Sequence, residues 1–122
     1  MNETLINSYK AFLDNGKTER ECVSQTVAIA KACGYVELCD KSELKAGDKV
    51  YFINRDKSIA LFHIGQDDIE NGMNILGAHI DSPRLDLKMK PLYEKEGIVY
   101  LNTHYYGGIK KYQWVAMPLA IH

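Results

Sequence analysis

His79 and Asp81 stand one residue apart in GAHIDSPRLDLK, the stretch from Gly77 to Lys88. An imidazole can bind a divalent cation through one ring nitrogen and donate the N–H of the other to a carboxylate. The carboxylate then fixes the tautomer and makes the ring a better ligand. His79 is therefore the candidate metal ligand, and Asp81 the candidate catalytic partner that orients it. The apolar run MNILGAHID, residues 73–81, predicts a short strand covered on both faces. Side chains at i and i+2 on a strand share a face, which would put His79 and Asp81 on one side, about 6.5 Å apart along the backbone, with Ile80 on the packed side. Gly77 and Ala78 are small enough to let neighbouring elements come close. Ser82-Pro83 ends the strand, since proline cannot donate to a ladder. The site is thus expected at the C-terminal edge of a strand, where open α/β sheets place their ligands.

The same H-x-D spacing also describes a surface pair at a turn, and one histidine does not make a zinc centre. A catalytic zinc takes three protein ligands and keeps one position open. The other histidines are His63, His104 and His122. His63 follows Leu61-Phe62 and reads as a core or edge residue of a strand. His104 stands beside Tyr105 and Tyr106, where stacking or a hydrogen bond accounts for it. None lies at H-x-x-x-H spacing from His79. The sequence has no G-x-x-x-x-G-K phosphate loop, no G-x-S-x-G elbow and no C-x-x-C pair.

The elements that must hold this stretch can be read outward from it. Leu5, Ile6, Tyr9, Phe12 and Leu13 mark one face of a helix, ended by Asn15-Gly16. Thr18 and Glu21 form a capping box that starts a second helix, with Cys22, Val23, Thr26, Val27, Ile29, Ala30 and Cys33 inward and Gly34 after it. YVEL predicts a short strand, and KVYFIN with SIALFHIG a hairpin bent at Arg55-Asp56-Lys57. DDIENG is a polar turn. Beyond Arg84 the alternation of RLDLKMKPLYE predicts a half-exposed strand that turns at Glu96-Gly97 and returns as IVYLNTHYY, broken by Gly107-Gly108. Two styles of structure meet near Pro83, so a domain boundary is expected there or soon after. The fold class is α/β: an N-terminal helical hairpin plus a mixed β-sheet.

Composition narrows the function classes. With 15 basic and 16 acidic residues the net charge is −1, without the basic excess of a nucleic-acid binder. Three cysteines, Cys22, Cys33 and Cys39, give neither a disulfide framework nor a zinc knuckle. Cys22 and Cys33 read as small buried groups of the second helix, and a reducing cytoplasm fits them. The N-terminus lacks the pattern of a signal peptide, and no run approaches the ~20 apolar residues that span a bilayer. The chain ends in WVAMPLAIH, an apolar run without a polar tail, which predicts that the sequence is cut inside a longer protein.

Read together, ILGAHIDSPRLDLK, the hairpin AGDKVYFINRDKSIALFHIG and YYGGIKKYQWVAMPLAIH resemble the aspartyl aminopeptidase family of dinuclear zinc aminopeptidases, most closely its bacterial branch. The resemblance covers nearly the whole chain, and H-x-D-S-P followed by Y-G-G leading into a Trp-containing strand is its specific part. It implies a cytoplasmic enzyme that removes N-terminal amino acids from peptides with two Zn2+ ions, Mn2+ or Co2+ suiting the same ligands. His79 matches the family's histidine ligand and Asp81 the aspartate that holds it. The family's bridging aspartate, glutamate pair, further carboxylate and second histidine would lie beyond residue 122. The resemblance implies that residues 1–90 are the N-terminal part of a zinc peptidase domain, and that 91–122 begin an inserted β-rich dimerisation and lid domain. It also implies homo-oligomers, up to shells of twelve subunits. The chain by itself is expected to be inactive. Two other readings stay open: a non-catalytic oligomerisation module built on the aromatic hairpin, and a related zinc deacylase using the same H-x-D device.

Overall fold

A computed structural model describes residues 3–122. The chain forms two compact units, one running to Asp81 and one from Ser82 to His122.

The first unit opens with the expected helical hairpin, α1 (Glu3–Asn15) and α2 (Glu19–Ala32). Gly16 ends α1, its N–H donating to the Phe12 carbonyl at 3.0 Å. A side chain there would meet the Cys22 Sγ at 2.7 Å, so close packing of the turn on α2 requires glycine. Thr18 caps α2: its side chain accepts from the Glu21 N–H, and the Glu21 carboxylate accepts from the Thr18 N–H at 2.9 Å. Cys22, Val23 and Ala30 are buried, whereas Ile29 and Cys33 are exposed. The expectation of a buried Cys33 is thereby corrected. It is the C-cap residue, where the chain leaves the helix, and Gly34 follows at φ +84°. The expected inward face of α1 divides as well. Ile6 and Phe12 are half-buried, and Leu5, Tyr9 and Leu13 are exposed.

A mixed three-stranded sheet follows. β1 (Val36–Glu37) runs parallel to β2 (Lys49–Asn54), which pairs antiparallel with β3 (Ser58–His63). β2 lies in the middle, and the adjacent residues Val50 and Tyr51, which point to opposite faces, are both buried. The bend between β2 and β3 is closed by the Lys57 N–H on the Asn54 carbonyl at 3.0 Å, with Arg55 and Asp56 at φ +52° and +56°.

The strand expected over 73–81 does not form; the segment has no regular structure. Leu76 is 100% exposed and Ile75 80%. A strand covered on both faces owes its shape to flanking strands that satisfy its backbone. Among the described residues none pairs with this segment.

The second unit is a long hairpin, β4 (Arg84–Lys95) and β5 (Ile98–Tyr106). Glu96 and Gly97 make its two-residue turn, both at positive φ, +56° and +76°, as the favoured hairpin turns require. Tyr93 stacks on Tyr100 across the strands at 5.2 Å. The register shifts between Leu87, opposite Thr103, and Leu92, opposite Leu101. Residues 88–91 therefore stand against Asn102 alone. Pro91 lies in this bulge, where a missing N–H costs no ladder bond. At the base, Gly107 takes φ +74° and its α-carbon faces Pro83. The expectation of a Trp-containing strand is corrected too: Trp114 ends a short helix, α3 (Lys111–Trp114). The Gln113 and Trp114 N–H groups are satisfied locally by the Lys110 carbonyl at 2.9 and 3.2 Å. Among the described residues no helix is long and apolar enough to cross a membrane.

Candidate metal centre

His79 and Asp81 lie near the end of the first unit, in the irregular segment that follows the turn Ile69–Asn71. They meet without a strand to align them. The His79 Nδ1 stands 3.5 Å from the Asp81 Oδ1 and 3.1 Å from the Asp81 carbonyl oxygen. A ring engaged at Nδ1 by two oxygen acceptors favours the tautomer with its proton on Nδ1. That tautomer presents Nε2 as a lone-pair donor, the form in which histidine ligates a metal. The His79 side chain is 86% exposed and that of Asp81 43%, so the ring is reachable. The i, i+2 spacing of His79 and Asp81 points to the carboxylate of this contact but not to the carbonyl, which a strand would direct into its ladder.

The donor chemistry suits zinc, an imidazole steadied by a carboxylate, but it amounts to one arm. Among the described residues no group of three or more His, Cys, Asp or Glu side chains could hold a metal ion. His63 ends the edge strand β3, opposite Lys49, and is exposed. His104 lies on β5 opposite Asp86, its Nδ1 3.3 Å from the Tyr105 carbonyl. His122 is exposed at the last position.

The base of the hairpin carries a polar cluster outside the H-x-D pair. The Arg84 Nε donates to the Asp86 Oδ1 at 2.8 Å, and its guanidinium lies over the Tyr106 ring at 4.1 Å. Lys111 Nζ lies 4.3 Å from the Tyr105 ring centre. The signal was present in the sequence: Arg84 and Asp86 are i and i+2 on one strand and so share a face.

Parts of known proteins are similar to this chain in sequence and in fold. Residues 12–122 match the family model for the aminopeptidase I zinc metalloproteases (M18). A probable M18 family aminopeptidase 1 from Clostridium acetobutylicum is 57% identical over 122 residues, covering 97% of this chain and 26% of the relative. The crystal structure of an M18 family aminopeptidase from Thermotoga maritima superposes with a TM-score of 0.85 at 45% identity, over 95% of this chain and 26% of that one. Aminopeptidase I from Borrelia burgdorferi B31 gives 0.81 at 40% identity, over 97% and 31%. The chain thus spans about a quarter of the length of the curated relatives it matches. A match across residues 12–122, made on both sequence and fold, places the chain in the M18 family of zinc aminopeptidases.

Proposed function

We propose that this chain supplies the first histidine arm of a two-zinc aminopeptidase that removes N-terminal residues from peptides. The observation that carries the proposal is the contact of the His79 Nδ1 with Asp81, in a chain of the M18 family. His79 would hold zinc through Nε2. Asp81 would keep the ring in the ligating tautomer and stabilise the charge that ligation draws from it. Bound there, zinc would supply Lewis-acid polarisation of the scissile carbonyl. Residues 1–90 would form the N-terminal part of the peptidase domain, and 91–122 the start of an inserted dimerisation and lid domain. The whole protein would work in the cytoplasm as a homo-oligomer, with peptides as its substrates.

The test uses a polypeptide extended to the length of the relatives. Replacing His79 with alanine should lower the bound zinc and abolish peptide trimming together. The 122-residue chain itself should turn over no aminoacyl amide and bind zinc only weakly, since one arm is fewer than the three ligands of a catalytic site. Metal-dependent turnover by this chain would overturn that reading.

The hairpin supports a second reading, assembly, at the same time. Tyr93 and Tyr100 are stacked and partly exposed, and exposed aromatic strands serve interfaces. Sedimentation of the longer polypeptide with and without Tyr93→Ser would measure this. An unchanged oligomer would exclude the stacked pair from the interface.

A further inference from the structure

The near-zero net charge conceals a division. Residues up to Asp81 hold nine Lys and Arg against thirteen Asp and Glu, a balance of −4. Residues 82–122 hold six against three, a balance of +3. Charge asymmetry between parts of a chain bears on association rather than on fold. Within the basic unit several cations are already engaged: Arg84 with Asp86 and Tyr106, Lys95 with Glu96, and Lys111 with Tyr105. Among the described residues, Lys88 and Lys90 have neither an ion pair nor a ring contact. They flank Met89, which is fully exposed, and all three lie in the bulge of β4 opposite Asn102. Leu87, Met89, Asn102 and His104 line an open depression there with the two lysines.

We propose that this bulge is a docking site for an acidic peptide segment, an extended stretch with one apolar side chain between carboxylates. The apolar side chain lies against Met89 and Leu87, and the carboxylates pair with the Lys88 and Lys90 ammonium groups. Methionine suits this role because its unbranched, polarizable side chain adapts to varied partners. The bulge suits it because residues 88–91 lack full pairing with β5. A nucleic acid is a poorer occupant, since phosphate tracking needs a longer run of cations than two. Docking here requires neither metal nor catalysis.

The probe is a fluorescein-labelled peptide of sequence Glu-Asp-Leu-Asp-Glu, titrated with the 122-residue chain and read by anisotropy. The control peptide is Gln-Asn-Leu-Asn-Gln. The acidic peptide should bind about tenfold or more tightly than the neutral one, and raised salt should weaken it, as for exposed ion pairs. K88E/K90E should lose that preference. M89S should weaken both peptides while keeping their ratio. All three positions are exposed, so folding should survive, as circular dichroism would check. Equal binding of the two peptides, or a preference untouched by K88E/K90E, would overturn the proposal. So would displacement of the acidic peptide by a single-stranded oligonucleotide of equal charge at equal concentration. A self-associated chain that K88E/K90E dissociates would overturn it in favour of a second copy as the occupant.

Discussion

Thr18 and Glu21 each satisfy the other's backbone: the threonine hydroxyl oxygen accepts from the Glu21 N–H at 3.3 Å, and the glutamate carboxylate accepts from the Thr18 N–H at 2.9 Å. The same carboxylate also accepts from the Lys17 N–H at 2.9 Å. This junction sets where α2 begins, and so which of its residues face the sheet. Thr18→Ala should cost about 1 kcal/mol, the usual price of an N-cap. Urea unfolding of the two proteins checks this, and Thr18→Ser should recover most of the loss.

Val50 is fully buried in the central strand of the sheet. Val50→Ala removes two methyl groups and leaves a cavity, a loss of about 2 kcal/mol by transfer and cavity terms together. Phe52, exposed on the same strand, should tolerate Phe52→Ser far better. Paired urea curves would show the difference as a shift in midpoint.

The three free cysteines differ in access. Cys22 is buried, and Cys33 and Cys39 are exposed. Desolvation, with Glu21 and Glu19 nearby, pushes the Cys22 thiol up, but the Cys39 thiol is raised as well, so access rather than thiolate fraction separates them. An aromatic disulfide reagent at neutral pH should modify two thiols in the folded chain and the third only after denaturant. Rapid modification of Cys22 in the folded chain would mean that the α1–α2 turn opens readily.

Asp48 ties the loop before β2. Its carboxylate accepts from Lys41 Nζ at 2.9 Å and from the Lys45 N–H at 2.9 Å. The hydrogen bond from Lys41, then that from the Lys45 backbone, lower its pKa. A carboxyl lowered on folding stabilises the fold fully above its unfolded value, about 3.9. That contribution fades as pH falls through the lower folded value. Asp48→Asn should therefore melt below the parent at pH 6, and the gap should close as the pH drops below about 4. A gap of constant size down to pH 2 would show that the carboxylate charge is not what holds the loop.

Local signals in the sequence carried much of this structure. The capping box, the Asn15-Gly16 stop, the bend at Arg55–Lys57 and the Glu96-Gly97 turn are each written in residues within four positions of one another, and all form where expected. The failures have a common cause. Residues 73–81, the outward side of α1 and the stretch around Trp114 owe their state to what packs against them, and sequence periodicity cannot supply a neighbour. By spacing Cys33 is apolar and inward, but the helix ends there first. At the candidate site the residue types and their separation were legible, and the geometry was not. His79 meets Asp81 through both a carboxylate and a backbone carbonyl, and the second contact depends on the chain leaving strand geometry.

Bound zinc decides whether His79 is a metal ligand. In a polypeptide extended to the relatives' length, bound zinc per subunit would be measured for the parent, His79→Ala and Asp81→Asn, alongside hydrolysis of an aminoacyl amide. His79→Ala should bind less zinc than the parent and lose hydrolysis with it. Asp81→Asn should keep the ligand but bind zinc about 10- to 100-fold more weakly, the usual effect of losing such a partner. Unchanged zinc content and unchanged hydrolysis in His79→Ala would contradict the account.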